Sequence, residues 1–101
     1  MKLVRDKIPE IIRNNGEFPI ISLLNDQKYE LKLREKLQEE VNEFLESGEI
    51  EELADILEVL YALSDLKLVN KDELELLRQK KEDERGAFRN KIFLRGVNKK
   101  E

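Results

Sequence analysis

Residues 37 to 63 carry two helical patterns separated by Ser47 and Gly48, and this arrangement constrains the fold more than any other feature. Before the break, apolar residues recur at the spacing of a helix with one buried face. After it, almost the whole helical circumference is apolar from Leu53 to Leu63. A glycine at such a break favours a left-handed helix end, which lets the chain reverse. The sequence therefore predicts a pair of helices folded back on each other around Gly48.

The helical period also predicts the bounds of both long helices. The first begins at about Asp26, with Asn25 or Asp26 as its N-cap, and the second runs from about Ile50 to Leu66. Because most of the second helix is apolar, we expect it at the centre of the fold or in a subunit interface. The apolar positions of the first helix are Leu33, Leu37, Val41, Phe44 and Leu45.

Two shorter elements flank this pair. Near the start, a brief helix is predicted with Asp6 as its cap, Pro9 in its first turn and an apolar stripe of Ile8, Ile11 and Ile12. A third long helix is predicted from about Lys71 to Glu84. It has Asn70 as N-cap, Glu73 in the capping-box position, Leu74 and Leu77 as anchors, and Gly86 as its end.

The remaining segments do not have a helical pattern. Residues 17 to 25 are apolar but contain Pro19, which favours an extended segment or a short edge strand. The apolar residues between 87 and 97 are expected to pack as an extended strand or loop, and residues 97 to 101 to be frayed. With no linker or repeat in 101 residues, we expect a single all-α domain spanning 1 to 101 with short extended terminal segments.

The composition excludes several kinds of chemistry. The chain contains no cysteine and no histidine, so disulfides, thiolate zinc sites and a histidine general base are ruled out. The net charge of −4 gives no reason to expect a nucleic-acid polymer as partner. No signal peptide and no apolar run of about 18 residues is present, so we expect no membrane association and a cytoplasmic protein.

Acidic pairs on both sides of Gly48 are the candidate site. Glu40 with Glu43, and Glu52 with Asp55, each have the i, i+3 spacing that places two carboxylates on one side of a helix. One such pair alone is typical of a solvated helix surface. Two pairs on helices that fold together bring four carboxylates around one point, where a divalent cation would remove their repulsion.

Asp55 is the most informative of the four. It lies between Val59 and Ala62 on the apolar arc of its helix, where an unpaired carboxylate costs several kcal/mol. A buried ion pair with Lys or Arg, a polar network, or a bound cation could each compensate it. The sequence leaves these three alternatives open.

Blocks along most of the chain resemble a known family. EEVNE at 39 to 43 and EELAD at 51 to 55 resemble the paired ExxE and ExxD motifs of the MazG-like all-alpha nucleotide pyrophosphohydrolase superfamily. LVRDKIPEII at 3 to 12, ELADILEVLYAL at 52 to 63 and KKEDERGAF at 80 to 88 are similar to the small phosphoribosyl-ATP pyrophosphohydrolase-like proteins of that superfamily. The three blocks in this order are more specific than any one of them.

The resemblance implies a helical bundle of the all-alpha NTP pyrophosphatase type and a hydrolase that depends on Mg²⁺, or alternatively on Mn²⁺. Such an enzyme cleaves between the α and β phosphates of a nucleoside triphosphate or related nucleotide and releases pyrophosphate. The resemblance also implies a homo-oligomer, either a dimer or a tetramer, for which the apolar helix from 53 to 63 is suited. The implied metal ligands are Glu40, Glu43, Glu52 and Asp55.

The roles of two further acids follow from the same resemblance. Glu39 matches the first acid of the doubled pair and would hold or activate the attacking water, although its place on the helical wheel also favours a solvated surface position. Glu58 lies one turn beyond Asp55 and has no place in the general motif. Whether Glu39 or Glu58 takes part in the chemistry is left open.

Five basic residues are candidates to bind the phosphates of a substrate. Lys36 lies one turn before Glu40 and is either its ion-pair partner or a phosphate contact. Lys81 and Arg85 lie either at a substrate or simply at the favourable C-terminal end of their helix. Arg5 and Lys7 belong either to a packing arm or to an anion site.

A different class of function also fits the pattern. A non-catalytic helical interaction or regulatory module would show the same helical periodicity and acidic surface. It would not require a carboxylate on the apolar arc at Asp55. The sequence does not identify the nucleotide or the pathway.

Overall fold

A computed structural model describes residues 1 to 99 and contains four α-helices in that range. They are α1 (Ile8–Asn14), α2 (Asp26–Ser47), α3 (Ile50–Leu66) and α4 (Lys71–Arg85). No strand occurs between residues 1 and 99, which confirms the all-α prediction. The chain divides into two compact units, Met1–Lys71 and Asp72–Glu101, and the single domain expected for 1 to 101 stays a prediction. Within residues 1 to 99, no helix has both the length and the apolar character needed to cross a membrane.

Local sequence signals set both ends of α2. The side chain of Asn25 accepts a hydrogen bond from the backbone N–H of Lys28 at 2.9 Å, as predicted for an N-cap. At the other end Gly48 has a φ of 68°, and its N–H donates to the carbonyl of Phe44 at 2.8 Å. A residue with a Cβ adopts this left-handed backbone only at a cost, so glycine suits the reversal. The predicted break is therefore confirmed.

The helices α2 and α3 pack against each other and run in opposite directions. Near one end Lys67 forms an ion pair with Glu30, and near the other Glu52 and Asp55 approach Glu40. Between these ends, Leu33 of α2 and Val59 of α3 are buried. This short apolar interface positions the acidic residues near the Gly48 turn.

One side of α3 is not covered by the described residues 1 to 99. Ile50, Leu53, Leu57 and Leu60 follow a single helical stripe and keep between 38% and 71% of their surface exposed. The expectation that α3 is the centre of the fold therefore holds only for the face around Val59. The exposed stripe is on the other side of the same helix.

The N-terminal unit begins with a segment that has no regular structure and leads into α1. The N-cap of α1 is Lys7, with no side-chain cap, so the prediction that Asp6 caps this helix is wrong. The backbone N–H of Ile8 donates instead to the carbonyl of Arg5 at 3.0 Å, and Pro9 has no N–H that needs a cap. Ile8 and Ile12 are half-buried, while Ile11 is exposed. Residues 17 to 25 are neither helix nor strand, as expected of the extended alternative.

In the second unit, α4 ends one residue later than predicted. Gly86 follows it with a φ of 86°, and its N–H donates to the carbonyl of Glu82 at 2.7 Å. The apolar side chains of the tail were expected to pack, but they are between 74% and 99% exposed: Phe88, Ile92, Phe93, Leu94 and Val97. With no strand in residues 1 to 99, the tail finds no sheet edge to join. Of the end predicted to be frayed, residues 100 and 101 lie outside the described range.

Candidate metal and phosphate site

Glu40 is the centre of two overlapping groups of carboxylates. Oxygens of Glu40, Glu52 and Asp55 lie within 4.8 Å of one another, across the interface of α2 and α3. Oxygens of Glu39, Glu40 and Glu43 form a second group with the same limit on α2 alone. The helical hairpin thus brings all four predicted ligands into two groups that share Glu40.

Glu40 is also the most buried of these acids, with 6% of its surface exposed. Its Oε1 lies 3.2 Å from the Nζ of Lys36, but its Oε2 is buried without a hydrogen-bond partner in the described part of the chain. The same is true of Oε2 of Glu52. Burial raises the pKa of Glu40, and the nearby Glu43 adds to this effect while Lys36 opposes it. Two buried oxygens without partners are costly unless a ligand satisfies them.

Asp55 is less buried than its position on the helical wheel predicted. Its side chain is 40% exposed and pairs with Arg5, whose Nη2 lies 2.6 Å from Asp55 Oδ1. The wheel identified an apolar arc, but α2 covers only part of that arc, so apolar neighbours along the helix do not imply burial. Of the three compensators that the sequence left open, an ion pair with an arginine is present, but it is partly exposed and not buried as expected; a bound cation stays a prediction.

Lys36 serves two carboxylates on its own helix. Its Nζ lies 3.2 Å from Glu40 and 3.4 Å from Glu39. Its pKa is raised: partial burial is the largest influence and acts to lower it, but the two adjacent carboxylates together outweigh it. The ion-pair alternative for Lys36 is therefore the one observed, and a phosphate contact stays a prediction.

A pocket of about 690 Å³ adjoins these carboxylates. One side is the N-terminal segment from Lys2 to Ile8, which contributes Arg5 and Lys7. Its lining combines acidic, basic and apolar side chains, so it offers oxygen ligands, positive charges and apolar contacts to a ligand. The helical residues of its lining are Tyr29, Leu33, Lys36, Glu40, Asp55, Glu58, Val59 and Ala62.

The lining residues that were not predicted as site residues from the sequence include Lys2, Tyr29 and Leu33. A signal for the last two was present, since Tyr29, Leu33, Lys36 and Glu40 follow the 4, 3, 4 spacing of one helix face. Burial raises the pKa of the Tyr29 hydroxyl, and the charges of Asp6 and Asp65 act in the same direction. No comparable signal identifies Lys2, because the extended segment before α1 has no helical period.

The other predicted residues have varied surroundings. Glu39 and Glu43 are exposed, as the wheel indicated for Glu39, and Glu58 is an exposed member of the pocket lining. Lys81 and Arg85 lie on α4 in the second unit and are exposed. Arg85 is in the last turn of that helix, where a cation interacts favourably with the unpaired carbonyls.

The donor set fits a hard divalent cation. Mg²⁺ takes oxygen ligands at about 2.0 to 2.1 Å, so its ligands lie roughly 3 to 4 Å apart. Carboxylate oxygens of Glu40, Glu52 and Asp55 within 4.8 Å of one another need only a small contraction to reach that spacing. An ion there would also satisfy the buried oxygens of Glu40 and Glu52. Oxygen ligands alone do not distinguish Mg²⁺ from Mn²⁺.

Comparison with known proteins gives a partial match. An uncharacterized protein of Mycolicibacterium smegmatis is 52% identical over 42 residues, which is 42% of this chain and 43% of that protein. The aligned part of the chain thus spans less than half the length of this relative. No protein-family model matches the chain, and no solved structure matches it significantly.

Proposed function

We propose that this chain is a Mg²⁺-dependent nucleotide pyrophosphohydrolase with a fold of the all-alpha NTP pyrophosphatase type. It would cleave the α–β phosphoanhydride of a nucleoside triphosphate or related nucleotide to the monophosphate and pyrophosphate. The observation that carries the proposal is the buried Glu40, which has an unpartnered oxygen beside Glu52 and Asp55. The resemblance of 39 to 43 and 51 to 55 to paired metal-binding motifs supports the same reading.

Four carboxylates would hold the cation: Glu40, Glu43, Glu52 and Asp55. When bound, Mg²⁺, or Mn²⁺ in its place, supplies charge neutralisation for the phosphate chain and lowers the pKa of a coordinated water. Glu39 is exposed at the edge of the group and is suited to orient the attacking water and accept its proton. No covalent intermediate is required, in keeping with a chain that lacks cysteine and histidine.

Cationic and aromatic residues of the pocket would contact different parts of the substrate. Arg5, Lys7 and Lys36 line the pocket and would neutralise phosphate oxygens as charge develops on them. Tyr29 also lines the pocket, where its ring would contact a nucleobase or sugar. The resemblance at 80 to 88 extends substrate binding to Lys81 and Arg85.

Self-association is part of the proposal. The exposed stripe of Ile50, Leu53, Leu57 and Leu60 on α3 would be covered by a second copy of the chain. Light scattering should give a native mass of two or four times the 12.0 kDa of the monomer. A monomeric mass at micromolar concentration would remove this part of the proposal.

Pyrophosphate release from a panel of nucleoside triphosphates with millimolar Mg²⁺ tests the function. We expect release by the wild type and a loss of roughly 100-fold or more in Glu52→Gln and Asp55→Asn. A direct ligand should matter at least as much as a group that orients one. Glu75→Gln, the same chemical change on the exposed face of α4, is the control and should keep full activity. No release across the panel would favour the non-catalytic module.

A further inference from the structure

The ion pair between Arg5 and Asp55 joins the N-terminal segment to the carboxylate group across 50 residues of sequence. Asp55 Oδ1 is 2.6 Å from the guanidinium, and Asp55 is also one of the two acids of α3 that group with Glu40. Arg5 is 58% exposed and precedes α1 in a segment without regular structure. The guanidinium is therefore able to leave Asp55 without disturbing a helix.

We infer that Arg5 is a built-in competitor for the divalent cation at Asp55, and that cation binding releases Arg5 to the phosphates of the ligand. This inference rests on the proposed function. A guanidinium and a metal ion need the same carboxylate lone pairs, and each repels the other at contact distance. The guanidinium of Arg5 contacts Asp55 Oδ1, which is a carboxylate oxygen that a cation at Asp55 would also need.

The geometry makes this competition mild. An ion pair as exposed as this one is weak, so Arg5 lowers metal affinity without preventing binding. After release, Arg5 stays on the pocket wall, and its planar fork suits two phosphate oxygens at once. A ligand that carries both a divalent cation and phosphates would satisfy Asp55 and Arg5 together. A free cation satisfies only Asp55.

Mn²⁺ binding to the full chain without nucleotide, followed by the electron paramagnetic resonance signal of the free ion, tests the competition. Arg5→Gln should bind Mn²⁺ about two- to fivefold more tightly than the wild type. Lys2→Gln is the matched control, since it removes one positive charge from the same segment and pocket. Lys2 has no ion pair with a residue in the described range 1 to 99. An equal gain in both variants would indicate a general charge effect and overturn the inference.

Two further measurements separate a specific competition from other causes. In an Asp55→Asn background, Arg5→Gln should gain no more than Lys2→Gln, because the contested carboxylate is absent. With nucleotide, Arg5→Gln should raise KM while its affinity for Mn²⁺ alone increases. If Arg5→Gln binds Mn²⁺ more tightly but does not raise KM, the release of Arg5 to phosphate is contradicted.

The same samples distinguish this inference from the proposed function. If the wild type binds Mn²⁺ and releases pyrophosphate, but Arg5→Gln matches Lys2→Gln, only the competition fails. If the wild type binds no Mn²⁺ and releases no pyrophosphate, both proposals fail. Tighter binding by Arg5→Gln alone supports the competition at Asp55.

Discussion

Two regions of this chain are rich in acidic residues but have opposite electrostatic situations. On α4, Arg78 pairs with Glu75 at 2.6 Å and also with Glu82, at the spacing of adjacent helical turns. Arg78 lowers the pKa of Glu75, and the two glutamates raise the pKa of Arg78. Between α2 and α3, burial raises the pKa of Glu40, and one buried oxygen each of Glu40 and Glu52 has no hydrogen-bond partner among residues 1 to 99.

This difference in hydrogen-bond partners and burial indicates which acidic clusters need a ligand. Arg78, Glu75 and Glu82 compensate one another within α4 and keep contact with water, so no further ligand is needed there. Carboxylates at the hairpin come from two helices and meet at an interface that excludes water from some of their oxygens. A divalent cation would reverse the sign of their interaction from repulsive to attractive.

Metal binding should cause the largest change in the free energy of unfolding. At 100 times its dissociation constant, a cation that binds only the folded chain stabilises it by about 2.7 kcal/mol. For a domain of this size, that corresponds to a rise of roughly 10 to 20 °C in Tm. Differential scanning fluorimetry with Mg²⁺ or Mn²⁺ should show this rise in the wild type and Glu75→Gln but not in Glu52→Gln. A full shift in Glu52→Gln would place the cation elsewhere.

An intermediate effect is expected from Glu40→Gln without metal. The raised pKa means that the folded chain binds more protons than the unfolded chain just above the ordinary value of 4.5. Stability therefore falls as pH rises through this window. Replacing the carboxylate with an amide should raise the free energy of unfolding by about 1 kcal/mol at pH 7. Lys36 keeps Glu39 as a partner at 3.4 Å in this variant.

Urea denaturation of metal-free protein at several pH values measures this effect. The gain of Glu40→Gln over the wild type should be present at pH 7 and shrink toward pH 4.5. In the presence of metal the order should reverse, because Glu40→Gln removes a ligand. If Glu40→Gln is less stable than the wild type at pH 7 without metal, then Lys36 already compensates the buried carboxylate.

The helical hairpin could be predicted from sequence because its signals are local. Asn25, Gly48 and the bounds of α3 depend on backbone hydrogen bonds within a few residues, and the structure confirms all three. The prediction that Asp6 caps α1 was wrong for a local reason as well. The carbonyl of Arg5 accepts the hydrogen bond from the N–H of Ile8 that Asp6 was expected to accept.

Relative burial within the site could not be predicted in the same way. Asp55 lies on an apolar arc but is 40% exposed, whereas Glu40 only borders an apolar face and is buried. The helical wheel describes one helix at a time, but burial depends on which part of α3 is covered by α2. The Arg5 contact, 50 residues away in sequence, has no periodic signal at all.

The smallest effect is expected on α4, and it completes the comparison. Arg78→Gln should change Tm by no more than about 2 °C, because its partners Glu75 and Glu82 regain water. Since the pKa of Glu75 is lowered, any stabilisation by this pair is present above pH 4.5 and is lost as pH falls through the folded pKa. That direction is opposite to the one for Glu40. Calorimetry at several pH values checks the direction of the pH dependence. Calorimetry at low and high salt checks the Tm change, since screening should abolish the small loss. A loss that exceeds the gain of Glu40→Gln and persists in high salt would show that exposed pairs, not the buried hairpin carboxylates, dominate the electrostatics of this chain.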